Sequence, residues 1–433
     1  MSFILRGYLI HRWKPFRVAS QLDGEYAFVA NNLLCSARSL DQLQGESRAH
    51  VNRRAEVYWQ GHQTSPMMGR HLLVDSFCPQ VHGLCTVKLA VLLTVIGGGG
   101  GGGGADASAE TMAGTEQRRE GHLLMVGDPG TAKSQLLLGA SRIARRAVVT
   151  TGAGTTNAGL TAAAVRDGAG KGGGTGEWTL EAGAMVLADG GLCCIDEFNA
   201  LSERDRTALH EAMEQQTLSV AKAGLVCRLS TKCSVVAACN SRGKWEAGTS
   251  ITANIALASP LLSRFDLILL LLDQTDEQWD QALSAAVLKK ACQRTRKKQD
   301  AALFDEEALK TYVAYVQTRP LSGLSPEARL VLGRYYQSQR DSKDRDVART
   351  TVRLLESLTR LAQAHARLMC HRRVELADAV SAIMLMESSL LRSPDGTSMR
   401  GTPDCHRAQE AYEAYEAALL QRLTINKSIV LNL

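Results

Sequence analysis

The chain has 433 residues, 45% of them apolar and 5% aromatic, and carries a formal net charge of +6 from 50 basic and 44 acidic side chains. That length and apolar content suffice for a sizeable core spread over two or three domains, which excludes a disordered or fibrous chain, and the small basic excess permits a polyanionic partner without demanding one. The longest apolar run, Leu89 to Ile96, is too short to cross a bilayer, no cleavable signal pattern opens the chain, and eleven cysteines without a C-x-x-C pair read as reduced intracellular thiols, not zinc ligands.

Residues 1–34 hold alternating segments such as Tyr8-Leu9-Ile10-His11-Arg12-Trp13 and Tyr26-Ala27-Phe28-Val29, which predict two or three strands. Polar residues 36–66 read as linker, and the apolar spacing from Cys78 to Ile96 predicts a helix packed beside the next domain. Eight glycines from Gly97 to Gly104 break that helix and open a low-complexity loop reaching to about Glu120.

Residues 122–135 then read as an apolar strand running into a glycine-bearing loop, with Lys133 and Ser134 at a helix start that continues to Arg146. Loop amides and a helix N-terminus favour anionic oxygens, the ammonium reaches outer phosphates and the hydroxyl suits Mg²⁺. A surface turn fits the same residues, so the parts that follow decide. Gly191 to Ile195 is a buried-strand run ending in Asp196 and Glu197; the pair suits a metal shell and a base that polarises water, or the first turn of a helix. A second apolar strand, Ser234 to Cys239, ends at Asn240, whose amide can share that water. A third, Leu267 to Leu272, follows Ser263-Arg264-Phe265-Asp266 and puts Arg264 in line as a finger offered to a neighbour's phosphate, or as a surface salt-bridge arginine.

Between these parts, a second glycine tract spans Gly168 to Gly176, and Thr217 to Leu229 alternates around Lys222-Ala223-Gly224, a predicted hairpin with one positive charge at its tip. Arg166 and Lys171 are weaker candidates of the same kind. Lys289, Lys290, Arg294, Arg296, Lys297 and Lys298 crowd a basic linker. Helical periodicity returns over 305–318, 325–340, 349–369 and 374–389, with Pro320 and Pro326 at boundaries.

Gly127-Asp128-Pro129-Gly130-Thr131-Ala132-Lys133-Ser134-Gln135, Asp196-Glu197-Phe198-Asn199 and Ser263-Arg264-Phe265-Asp266 together resemble the three signatures of the minichromosome maintenance (MCM) helicases. Residues 191–199, 210–216 and 220–227, with Arg12-Trp13-Lys14-Pro15-Phe16, most resemble the ninth paralogue, a recombination-repair branch. The resemblance implies an α/β fold: a P-loop AAA+ ATPase core with a helical lid, preceded by a remnant of an OB-type β domain whose full N-terminal tier is missing. The implied division is a remnant at 1–35, linker at 36–74, core at 75–288 with a glycine-rich insert at 97–120, basic linker at 289–304, lid at 305–390 and tail at 391–433, without a winged helix.

It further implies ATP and Mg²⁺, with Gly127 to Gln135 on the phosphates, Ser134 and Asp196 on the metal, Glu197 as base, Asn240 positioning water, and Arg264 and Arg353 acting on a neighbour's nucleotide. Lys222 would touch single-stranded DNA in the central channel of a nuclear ring, formed with itself or with an eighth-type paralogue, that moves 3′ to 5′ in recombination and crosslink repair. Ser241 stands where family members commonly carry proline, an expected loosening of that strand end.

Overall fold

The structure is a computed structural model describing residues 45–98, 118–153, 157–166, 178–222, 225–241, 255, 259–273, 276–292, 304–342, 350–390 and 408–425. Its strands in chain order are β1 (His122–Gly127), β2 (Ala147–Thr151), β3 (Ala162–Arg166), β4 (Trp178–Ala182), β5 (Leu192–Asp196), β6 (Thr217–Lys222), β7 (Leu225–Ser230), β8 (Ser234–Asn240) and β9 (Leu267–Leu271). The principal helices are α1 (Gly45–Gly61), α2 (Pro66–Ser76), α3 (Cys85–Gly98), α4 (Lys133–Ile143), α5 (Glu203–Gln215), α6 (Glu277–Cys292), α7 (Glu306–Gln317), α8 (Pro326–Asp341), α9 (Val352–Leu368), α10 (Leu376–Leu390) and α11 (Ala408–Arg422).

Five strands form one parallel sheet in the order β2-β5-β8-β1-β9, with β1 in register between β8 and β9 (Leu123 opposite both Val236 and Leu267). Parallel strands must be covered on both faces, and the burial obeys this: every residue of β1 is buried, as are the first four of β5 and the first six of β8. Two antiparallel hairpins, β3 with β4 and β6 with β7, stand apart from this sheet. The lid helices pack back onto it through α3, which touches β1, β8 and α9, and through α10, which touches β9. Along α9, Leu354, Leu358, Leu361, Ala362 and His365 recur at helical spacing and are buried together. Ser325 caps α8 by accepting from Ala328 N at 3.1 Å, with Pro326 at the first helical position.

The mixed α/β architecture and its lid match the expectation, and four predicted strands and four lid helices lie within a few residues of their places. The segment read as linker differs: from residue 45 it is helical, and Met67, Leu73 and Val74 of α2 enter the main core. Its polar composition hid this because Arg70 is itself buried, donating to His365 Nε2 at 3.1 Å and Ser381 Oγ at 3.0 Å. The tail likewise holds α11, whose Tyr412, Leu419 and Leu420 are buried. Helix α3 starts at Cys85 instead of Cys78. Pro79 disfavours a helical residue before it, and Cys78, Gly83 and Leu84 take positive φ (48°, 63° and 55°), turning the chain before the helix begins.

The expected strands of 1–34, Gly99 to Gly104, Lys171 and the basic residues from Arg294 to Lys298 lie outside the described residues. Among the described residues, no helix is long and apolar enough to cross a membrane.

Candidate nucleotide site

Strand β1 ends at Gly127, opposite Asn240 of β8 and Leu271 of β9, so the loop from Gly127 to Ala132 rises between two strands at the sheet's C-terminal edge. A Cβ on Gly127 would lie 1.9 Å from the Leu271 carbonyl oxygen, which makes glycine obligatory there. Gly130 (φ +86°) and Ala132 (φ 63°) take the left-handed turns that fold the loop back to the N-terminus of α4. Alanine in that region costs about 1–2 kcal/mol where glycine costs nothing, a local strain that the following helix must hold.

Lys133 is 6% exposed, and its Nζ donates to Gly127 O at 2.9 Å, Asp128 O at 2.5 Å and Thr131 Oγ1 at 3.0 Å. Burial lowers its pKa, while Cys239, Asp128 and Asp196 oppose that shift by favouring the charged form. The Asp128 carboxylate pins the loop's outer side, accepting from Ser241 Oγ at 3.1 Å and from Asp273 N at 3.0 Å. Ser241 also donates its backbone N–H to Gly127 O at 3.3 Å. The expected loosening at Ser241 is therefore corrected: serine makes two hydrogen bonds here that proline cannot, and ties the end of β8 to the loop. Pro129, Gly130, Ser134 and Gln135 are exposed around the mouth, with Ser134 in the first turn of α4.

Asp196 closes β5 on the same edge, opposite Thr151, and its Oδ1 accepts from Glu197 N at 2.9 Å. Glu197 is exposed in a left-handed conformation (φ 50°), so the chain turns away while both carboxylates stay at the strand end. Gly152 allows this turn, since a Cβ there would sit 2.3 Å from Glu197 O. Exposed Asn240 ends β8, between β5 and β1. Lys133, Ser134, Asp196, Glu197 and Asn240 are thus brought to one edge.

The two arginines are elsewhere. Asp266 N donates to His122 O at 2.9 Å, which puts the Ser263–Asp266 turn at the opposite, N-terminal edge of the sheet. At about 3.3 Å per residue, the length of β1 separates that turn from the loop by about 17 Å. There Glu214, on α5, takes both guanidiniums: Oε2 accepts from Arg264 and Oε1 from Arg353, while Arg353 Nη1 donates to Ser263 Oγ at 3.3 Å. Arg264 also donates to Pro260 O at 2.5 Å.

Beneath them lies a buried ion cluster. Asp266 pairs with Arg118 at 3.2 Å and with Arg360, and accepts from Ser357 Oγ and from His122 N at 2.8 Å. Burial alone would raise the Asp266 carboxyl; Arg360 and Arg118 outweigh it and hold it well below the ordinary carboxylate range. His122 is pushed down to about 3, chiefly by burial and then by Arg118, in keeping with its Nδ1 accepting from Val235 N at 3.1 Å.

An MCM P-loop domain model matches residues 63–291, and an MCM AAA-lid domain model matches 307–390. The chain belongs to the MCM family. It is 45% identical over 396 residues to "Probable DNA helicase MCM9" of Oryza sativa subsp. indica, covering 90% of this chain and 56% of that protein. The protein of the same name in Arabidopsis thaliana is 44% identical over 400 residues, 92% of this chain and 59% of the relative. "Minichromosome maintenance protein MCM" of Saccharolobus solfataricus is 39% identical over 322 residues, 73% and 44%. The chain thus spans less than three-fifths of the length of these MCM relatives.

Lys133, Ser134, Asp196, Glu197 and Asn240 lie together at the sheet's C-terminal edge as the sequence of this MCM chain led one to expect, whereas Glu214, Asp266, Arg118 and Arg360 carried no role in that expectation. The available signals were the acid in the 210–216 stretch and the aspartate closing the Ser263–Asp266 quartet. Lys222 ends β6 and pairs in register with Leu225, which agrees with the predicted hairpin; its tip, residues 223 and 224, lies outside the described residues.

Proposed function

We propose that this chain is an ATP-dependent DNA helicase subunit that hydrolyses ATP at subunit interfaces to translocate on and unwind DNA, acting in homologous-recombination repair in the nucleus. The observation that carries this reading is the division of the machinery between two edges of one sheet: phosphate loop, carboxylates and Asn240 on one, Arg264 and Arg353 on the other. Such a chain has a site it does not complete and arginines its own site does not use, which supports a ring in which each subunit serves the next.

The residues present fit a nucleotide with Mg²⁺. The Lys133 ammonium is already wrapped by loop oxygens, and an exposed hydroxyl and a half-buried carboxylate stand beside it. Ser134 and Asp196 would hold the Mg²⁺, which when bound neutralises phosphate charge. Lys133 would exchange its loop carbonyls for phosphate oxygens. Glu197 would polarise water and Asn240 would share its orientation; Arg264 and Arg353 would neutralise charge building on a neighbour's γ-phosphate. Lys222 would meet the backbone of single-stranded DNA in the channel, giving contact without base reading. The partner subunit is a second copy or an eighth-type paralogue.

The test is ATP turnover with and without single-stranded DNA, for the chain alone and mixed with its eighth-type relative, with Glu197→Gln as control. DNA-stimulated turnover that disappears in the control is expected. Nucleotide binding without turnover in either mixture would leave a scaffold subunit in place of a motor.

A further inference from the structure

The turn between α2 and α3 gathers three side chains that the nucleotide site does not use. His71 and Asp75 stand four residues apart on α2 and so share one helix face; Cys85 opens α3. His71 Nε2 lies 3.4 Å from Asp75 Oδ2, and Cys85 Sγ lies 3.8 Å from His71 Nε2 and 3.7 Å from Asp75 Oδ1. One donor atom from each lies within 4.8 Å of the other two, and among the described residues no other group of three or more His, Cys, Asp or Glu does this.

Two explanations meet these distances, hydrogen bonding and the edges of a coordination site. The His71–Asp75 contact is long for a hydrogen bond, since N–H···O bonds cluster below about 3.2 Å, while the two contacts of the larger Cys85 sulfur have ordinary S–H hydrogen-bond lengths. As edges of a coordination tetrahedron they fit. Bonds of about 2.3 Å to sulfur and about 2.0–2.2 Å to nitrogen and oxygen, at tetrahedral angles, give edges of about 3.4 Å for N···O and about 3.6 Å for S···N and S···O. The N···O and S···N contacts match to about 0.2 Å, and the S···O contact does so through the other carboxylate oxygen. The carboxylate turns Oδ2 to His71 and Oδ1 to Cys85, straddling the place where an ion would sit.

We propose that His71, Asp75 and Cys85 form a three-ligand site for a tetrahedral, borderline-soft divalent cation of the Zn²⁺ class, with water in the fourth position. On binding, the Cys85 thiol releases its proton to solvent, and thiolate and carboxylate together cancel the ion's two charges, so the half-buried site stays neutral. The sequence expectation of no zinc ligands rested on C-x-x-C spacing, which a mixed His, Asp and Cys set escapes.

The position gives the ion a structural role. It would clamp α2 to α3 across residues 77–84, a loop holding two non-glycine residues at positive φ. That loop backs the motor: Phe77 and Cys78 pack so closely on Gly139 of α4 that a Cβ there would meet Cys78 Sγ at 1.9 Å, and Gly83 lies under the Trp279 ring of α6. A clamp here stiffens the support of the helix that follows the phosphate loop.

The test is titration of the chelator-treated full chain with Co²⁺, read by tetrahedral ligand-field bands and thiolate-to-Co²⁺ charge transfer, without nucleotide, so that its result is independent of ATPase activity. Saturation near equimolar Co²⁺ and displacement by Zn²⁺ are expected. Cys85→Ser should abolish the charge-transfer band, and Asp75→Asn, at an exposed position, should weaken binding by at least about tenfold, since even outer-shell partners carry about 10- to 100-fold. Zn²⁺ should also raise the melting temperature of the parent chain and not of Asp75→Asn. Absent bands, or bands and melting shifts unchanged in both variants, would overturn the site.

Discussion

Glu214 holds two arginines on one carboxylate, and its value is positional. Its side chain is 42% exposed and that of Arg353 is 40% exposed, so that pair contributes little to stability, and Arg264, at 15% exposure, keeps its hydrogen bond to Pro260 O when the carboxylate is lost. Glu214→Gln is therefore expected to leave the unfolding free energy within about 1 kcal/mol of the parent. ATP turnover should fall by at least about tenfold, because misplaced arginines forfeit part of the 10³ to 10⁵ that a finger supplies. Nucleotide-binding titrations alongside turnover check this, and a matching loss of nucleotide affinity would contradict the assignment. His122 behaves in the opposite way, since it is fully enclosed. With its folded pKa pushed down to about 3, the native state stays unprotonated while the unfolded chain takes up a proton below about pH 6.5, so stability falls as pH drops through that value. At pH 5 the loss from this group is about 2 kcal/mol, from about 1.4 kcal/mol per pH unit. Urea midpoints at pH 7 and pH 5 test it against His122→Asn, whose amide oxygen can replace Nδ1 as acceptor from Val235 N.

Asp266 is where the lid helix α9 is fastened to the sheet. Arg360 and Ser357 of α9 converge with Arg118 on its carboxylate just ahead of β9, so the element that carries Arg353 is locked to the turn that carries Arg264. Replacing Asp266 by Asn leaves the enclosed Arg118 guanidinium without its carboxylate and Arg360 with only the exposed Glu356 at 3.7 Å, and a loss of about 3–5 kcal/mol is expected in chemical denaturation. A loss below about 1 kcal/mol would show that the arginines relax to water and that the lid is held by apolar packing alone. Elements marked by a continuous apolar run or by one helical period were legible before the structure: β1, β5, β8, β9 and α7 to α10. Strand β2 was not, because Ala147–Thr151 is an edge strand with no fully buried residue. Helices α1 and α2 were not, because their burial depends on surfaces supplied by α7 and α11, far along the chain.

The parallel sheet puts donor and acceptor of the proposed interface on opposite edges, which suits heterologous, head-to-tail contact, the kind that closes into a ring or grows into a filament. Mixing Lys133→Ala with Arg264→Ala chains tests this directly. Each variant alone should be nearly inactive. In an equal mixture, about a quarter of interfaces pair an intact cradle with an intact arginine, and turnover should recover to that order. No recovery would place Arg264 in the service of its own subunit.

The phosphate loop, the paired carboxylates and the family were decided within short stretches of chain, because their chemistry is that of neighbouring backbone groups and of strand ends. A glycine needed at 127, a lysine at 133 and two acids after an apolar run can all be recognised without knowing what lies across the fold. What only the tertiary structure decided is which charged groups meet: Glu214 with Arg353 139 residues away, Asp266 with Arg360 94 away, Arg70 with His365 295 away. Ion pairs have no sequence period, and a charged residue reads as solvated until the elements around it enclose it. For the same reason the separation of the arginines from the cradle became visible only once the parallel register set β1 between them.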